Sequence, residues 1–251
     1  MASLCKRDRP GNTQRASIVP VFPCYNAPMC ALSLKTKWFQ LASGFSNDAG
    51  LIDRLFGQLD KAYRASGRHY HSLGHIEALL TLSDQCRKYL IAPELVELAI
   101  WYHDAIYNPL KKDNEQRSAE WARKDLKALG LTPDEIEQIA HWIGRTQNHM
   151  QRDPDESHDL QWFLDFDLSI LGEHRQVYAV YMQQVRREYW MIPEPLYRKG
   201  RAKILLEFLA TPELYRTPYF QESHEQRARR NLAYEISWLQ GEARPFSHSE
   251  L

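Results

Sequence analysis

From Trp38 onward, apolar residues recur at intervals of three and four, and no run alternates long enough to suggest a sheet. The pattern predicts an all-α fold. Asn47 or Asp48 can cap a helix whose apolar positions are Leu51, Ile52, Leu55, Phe56, Leu59 and Tyr63. Pro93 suits the first turn of a helix that carries Leu95, Val96, Leu98, Ala99 and Ile100 toward His103-Asp104. A segment from about Asn114 to Leu129 stops at Gly130. Thr132-Pro133-Asp134-Glu135 then reads as a capping box opening a helix with Ile136, Ile139, Ala140 and Ile143 on its buried face. The polar stretch from Gln147 to Asp159 is the clearest internal loop. It leads into a predicted helix DLQWFLDFDLSILG, and further helices are expected around 176–189, 196–209 and 221–239.

Before Trp38 the character changes. The apolar stretch from Ala16 to Leu34 is broken by Pro20, Pro23 and Pro28, which leaves it too interrupted to span a bilayer. The expected organisation is an unstructured extension over residues 1–31, a helical bundle with additional C-terminal helices over residues 32–241, and a short tail over 242–251. With 43% hydrophobic and 12% aromatic residues, 251 residues can bury one sizeable core.

Charge excludes some partners. Lysine plus arginine equal aspartate plus glutamate at 32 each, so no global field steers the chain toward nucleic acid or an anionic membrane. The tryptophans and tyrosines are not interleaved with a basic run, as a stacking platform for single strands would require. The four cysteines, Cys5, Cys24, Cys30 and Cys86, form no CxxC pair, which suits a reducing cytoplasm better than a disulfide scaffold.

The candidate chemistry lies in RHYHSLGHI, residues 68–76, and in the His103-Asp104 pair of IWYHDAIY. At helical spacing His71, His75, Leu79 and Leu82 share one face, so both imidazoles are expected to point inward. His103 follows Val96, Ala99 and Ile100 on one stripe, with Asp104 beside it. Farther along, Phe163, Leu164, Asp167, Ile170 and Leu171 form an apolar stripe while Asp165 falls opposite, so Asp167 is the expected buried carboxylate. A buried carboxylate needs a partner, and a cation is the obvious one. A lone histidine on an apolar face is more often a hydrogen-bonded core residue; the order His, His-Asp, Asp favours a divalent metal site instead.

These residues resemble the HD-domain superfamily of metal-dependent phosphohydrolases, named for the His-Asp doublet. The similarity runs from about Trp38 to Leu239 and includes a bacterial group of predicted HD phosphohydrolases. The blocks that carry it are RHYHSLGHI, WYHDAIYNP, DNEQRSAEWA, FLDFDLSILG, VRREYW, GRAKILLEFL and EQRARRNLAYEI. YHSLGH is also similar to the YHNxxH segment of cyclic nucleotide phosphodiesterases. That resemblance implies His71 as the general acid and His75, His103, Asp104 and Asp167 as ligands of a divalent metal (Mn, Fe, Co, Ni, Zn or Mg). Those enzymes have a further histidine after the doublet, where this chain has Tyr107-Asn108, so a second metal is not implied.

Glu115 lies where related hydrolases place water-orienting residues, although a first-turn helix acid is equally well explained by the macrodipole. His149 is a candidate contact to metal or phosphate, and Arg201 a candidate phosphate fork. The expected activity is hydrolysis of a phosphate ester or anhydride of a small molecule, a nucleotide by resemblance. An iron-dependent oxygenase and a metal-retaining nucleotide-binding regulatory module are the alternatives.

Overall fold

The computed structural model describes residues 31–242, and the expectations for the segments before and after lie outside the described residues. Among the described residues there are eleven α-helices and no strand. The helices are α1 (Ala31–Ala42), α2 (Ala49–Tyr63), α3 (Leu73–Cys86), α4 (Pro93–Tyr102), α5 (Asn114–Leu129) and α6 (Pro133–Arg145). They continue with α7 (His158–Leu168), α8 (Arg175–Glu188), α9 (Glu194–Ala210), α10 (Pro218–Ser223) and α11 (Glu225–Gln240). No helix among them is long and apolar enough to cross a membrane.

Local chemistry sets several boundaries. Asp48, rather than Asn47, caps α2 by accepting the Leu51 N–H at 2.9 Å. Thr132 and Glu135 form both halves of the capping box that opens α6, with Pro133 in its first turn. Gly130 closes α5 at φ +95°, a conformation glycine adopts without strain; its N–H and that of Leu131 return to carbonyls of the last turn. The resulting α5–α6 hairpin packs onto α4 and α2.

Helix α4 is buried nearly all round. Leu95, Val96, Leu98, Ala99, Ile100, Trp101 and Tyr102 are all enclosed, as expected of a helix without a polar face. It contacts α3, α5, α6 and α7, while α3 and α7 also touch each other. Trp38 from α1 meets Trp101 edge to face at 5.5 Å, and the Tyr63 hydroxyl at the end of α2 donates to the Trp101 carbonyl at 3.0 Å. Three elements bearing candidate ligands therefore converge in the middle of the core.

Two expected helices are interrupted. The segment DLQWFLDFDLSILG leaves α-geometry after Leu168 and finishes as a 3-10 turn over Ser169–Gly172. The single helix expected over 221–239 is divided into α10 and α11 at His224, which has φ −120°. The cause is tertiary. Gly172 comes so close that a Cβ built on it would lie 2.5 Å from the His224 Cβ, while His224 packs its ring on Phe220 and Tyr215. Thr217 caps α10 with Pro218 in its first turn, and Glu225 turns back to accept the N–H groups of Leu214 and Tyr215. The expected loop over 147–159 likewise contains the end of a 3-10 turn, Thr146–Asn148, and yields to α7 at His158.

Candidate metal centre

His75 enters from the first turn of α3. His103 occupies the C-cap of α4, Asp104 is the residue after it, and Asp167 stands one residue before the end of α7. The His103 Nε2 lies 3.1 Å from His75 Nε2 and 3.1 Å from Asp104 Oδ2. Asp167 Oδ1 is 3.2 Å from His75 Nε2 and 3.6 Å from His103 Nε2, and Asp104 Oδ2 is 3.8 Å from His75 Nε2. Donors about 2.1 Å from a common ion stand roughly 3.0 Å apart at right angles and roughly 3.4 Å apart at tetrahedral angles. The spacings of 3.1, 3.1 and 3.2 Å fall in that range and those of 3.6 and 3.8 Å are somewhat wider; His75, His103 and Asp167 could hold a metal ion, with Asp104 beside them.

The orientation of the donors supports the same fit. The Nδ1–H of His103 donates to the Ile100 carbonyl at 2.9 Å, which turns Nε2 toward the cluster. His149 Nε2 bonds Asp167 Oδ2 at 2.8 Å and so turns the other carboxylate oxygen toward the two histidines. The cluster also sits at the C-terminal, electronegative end of α4, where positive charge is favoured. Burial alone would lower both histidines. It does so for His75, whereas Asp104 and Asp167 outweigh it at His103 and hold that imidazole well above its ordinary range. Burial opposes ionisation of Asp104 and Asp167 as well, yet the surrounding imidazoles hold both carboxyls far below the usual range. Four inward-facing donors that stabilise one positive charge among them are a cation site in chemical character.

Two placements differ from the sequence expectation. His71 is not on the helix with His75: α3 begins at Leu73, with Ser72 as its cap, and His71 sits in the preceding turn. Its position comes instead from Glu188 at the end of α8. Glu188 Oε1 accepts the backbone N–H groups of His69, Tyr70 and His71 at 2.7–2.9 Å, while Oε2 takes His71 Nδ1 at 2.6 Å and the Tyr107 hydroxyl at 2.9 Å. Burial lowers the His71 imidazole, but Asp104 and Glu188 more than compensate and raise it; burial raises Glu188, but the bond to His71 overrides this and holds it at about 2. The Tyr107 ring stacks on His71 at 4.1 Å, closing the arrangement.

The second correction concerns the paired aspartates. Asp165 is the more deeply buried, at 0% exposure, whereas the Asp167 side chain retains 15%. Helix α7 is covered on both sides, so its apolar stripe does not separate an inner from an outer carboxylate. Asp165 faces away from the histidines and accepts the Arg216 and Thr217 N–H groups at 2.8 and 2.7 Å and the Thr217 hydroxyl at 2.7 Å. Burial outweighs those bonds and pushes its carboxyl up to about 6. It anchors the chain entering α10; Asp167 alone reaches the cluster.

A cavity of about 620 Å³ adjoins this centre, within the range of small-molecule sites. His71, Glu115, His149 and Arg201 all line it. Burial raises the Glu115 carboxyl, and the Asp104 and Asp167 charges add to the effect. Arg201 is a constrained phosphate candidate: its Nε and Nη2 bond Glu235 at 2.8 and 3.2 Å, and Nη2 also donates to the Tyr181 hydroxyl at 3.0 Å. Only Nη1 is left for a ligand.

Sequence reasoning assigned no role to Arg68 or Glu188, although both lie within the quoted blocks. Arg68 donates to the carbonyls of His71, Asp104 and Ala105, tying the turn before α3 to the turn after α4. No periodic signal marks it. Glu188 did carry one, since it follows Tyr178, Tyr181, Met182 and Val185 on the buried face of α8. Comparisons with family models, with curated proteins and with solved structures each find no match to this chain.

Proposed function

We propose that this chain is a metal-dependent phosphohydrolase of the HD type, acting on a phosphate ester or anhydride of a small molecule. One observation carries the reading: a four-donor cluster of His75, His103, Asp104 and Asp167 beside a cavity into which a carboxylate-held histidine, His71, also projects. A divalent ion held by those donors would polarise a phosphoryl oxygen and lower the pKa of a bound water. The chain's own groups supply the rest.

Glu188 engages the Nδ1 of His71, so the opposite ring nitrogen is the one available to donate a proton. Asp104 and Glu188 raise the basicity of His71 against the effect of burial, which favours the protonated ring. As the oxygen of water bonds to phosphorus and the bond to the leaving oxygen breaks, His71 protonates the departing group. Glu115, whose carboxyl is raised by burial and by the Asp104 and Asp167 charges, is placed at the cavity wall to orient water. Lys111, also in the lining, adds positive charge for the phosphate.

The test uses the full chain loaded in turn with Mn, Fe, Co, Ni, Zn and Mg, and follows phosphate release from a panel of phosphorylated metabolites. His75→Ala should lose metal and turnover together. His71→Ala should keep metal and slow turnover about 10²–10⁴-fold on poor leaving groups, with a much smaller effect on nitrophenyl esters. Absence of phosphate release with every metal, or oxygen consumption in its place, would remove the hydrolase reading.

A further inference from the structure

The cavity beside the metal centre has walls of two kinds. Its polar lining comes from the turn after α4, the start of α5 and the 3-10 turn after α6, with Lys111, Glu115, Gln147 and His149 among its groups. Its other wall is α9, which presents Leu196, Gly200, Ile204 and Phe208 at successive spacings of four, joined by Ile192 from the preceding turn. Ile192 and Phe208 pack partly against the core, and the middle of the stripe is left uncovered. Helix α9 buries Tyr197 and Leu205, while Leu196 and Ile204 remain 64% and 46% exposed.

Gly200 adds an independent observation. Glycine is the weakest helix former apart from proline, yet it sits in the middle of a 17-residue helix. A Cβ built there meets nothing within 4 Å, so no packing against protein requires it. What its lack of a side chain preserves is open volume in the cavity.

We propose that the α9 wall is a binding subsite for an apolar group, so that the ligand of this cavity is a phosphate ester whose other half is an alkyl chain or a hydrocarbon ring. The inference rests on the phosphohydrolase reading for the phosphate end, which the cation site and Lys111 suit by charge. The apolar end follows from the wall itself. Along the stripe itself Leu196, Gly200, Ile204 and Phe208 offer no partner for the N–H and carbonyl edge of a nucleobase. Of the polar residues that α9 adds to the lining, Arg201 is already held by Glu235 and Tyr181, and Tyr197 and Glu207 are the remaining two. A hydrocarbon group needs only to displace water from the stripe.

Non-hydrolysable probes separate this subsite from catalysis. Binding of methyl-, butyl- and hexylphosphonate to the full chain, with and without added Mn²⁺, can be measured by calorimetry. Each buried methylene should strengthen binding about two- to fourfold, making hexylphosphonate at least about thirtyfold tighter than methylphosphonate. Gly200→Leu should weaken hexylphosphonate about tenfold or more, change methylphosphonate by less than about twofold, and leave thermal stability equal or higher because leucine is the better helix former. Leu206→Asp is the control. Leu206 is exposed on the same helix but lines a separate groove shared with Leu239, so this variant should bind like the parent.

Undetectable hexylphosphonate binding, equal affinity for all three probes, an unchanged chain-length increment in Gly200→Leu, or its loss in Leu206→Asp would each overturn the subsite. Adenosine 5′-monophosphate binding more tightly than hexylphosphonate would overturn it in favour of a nucleoside. If chain-length dependence holds while no phosphate ester is hydrolysed with any metal, the subsite stands and the hydrolase reading falls. The opposite pair of results leaves the hydrolase and removes the subsite.

Discussion

Glu188 brings together more of the candidate site than any residue of the four-donor cluster, because its one buried carboxylate fixes both the backbone and the imidazole of His71. Removing its charge leaves three N–H groups, an imidazole and a tyrosine hydroxyl competing for a weaker acceptor. The carboxyl is held at about 2 against an ordinary 4.5, so between those values the unfolded chain binds more protons and stability rises with pH. This contribution is complete above pH 4.5 and is lost on acidification toward pH 2; at about 1.4 kcal/mol per unit it amounts to about 3 kcal/mol. Glu188→Gln should therefore lower stability at pH 7 by about that amount and flatten the acid limb, as read by urea unfolding at pH 7, 5 and 3. A variant with the parental pH slope would show that the His71 contact contributes nothing to folding. The aspartate pair yields a matched expectation: Asp167→Asn should abolish metal binding, whereas Asp165→Asn should retain it while loosening the chain into α10.

At the scale of elements, the glycines distinguish helix propensity from packing. Gly57 lies within α2 and Gly144 within α6, and at both a Cβ would meet nothing within 4 Å. Alanine at either position should stabilise by about 0.5–1 kcal/mol through helix propensity alone. Gly172→Ala should do the opposite and cost about 1–3 kcal/mol, since its Cβ would fall 2.5 Å from the His224 Cβ and 2.9 Å from the His224 carbonyl oxygen. Thermal unfolding of the three variants checks the contrast; equal effects would mean that the α10–α11 break is not held by that contact. The same close approach explains why the expected helix over 221–239 divides. No proline or glycine inside that segment announces a break, and the constraint comes from a residue about fifty positions earlier.

For the whole molecule, the cluster links α3, the end of α4 and α7, so an ion held there should tie the centre of the core together. A divalent ion at about a hundredfold its dissociation constant adds about 2.7 kcal/mol to stability. For a chain of this size that corresponds to a rise in Tm of about 5–10 °C. Chelator should reverse the rise, His103→Ala should lack it, and Asp165→Asn should show it from a lower baseline. A Tm indifferent to every divalent ion tested would argue against a metal in the core.

Short-range patterning sufficed for the all-α class and for the caps at Asp48, Thr132 and Gly130, because a helix and its ends depend on interactions spanning only three or four residues. It also selected residues that the fold brings together: His75, His103, Asp104 and Asp167 in one cluster, and His71, Glu115, His149 and Arg201 around one cavity. Their mutual geometry depended on contacts between segments distant in the chain. His71 takes its place from a carboxylate 117 residues away rather than from a helical face, and Asp165 is buried because α7 is covered on both sides. Periodicity describes one helix against one neighbour. Which polar group meets which partner, and which apolar stripe is left facing a cavity, follows only when all the helices are packed.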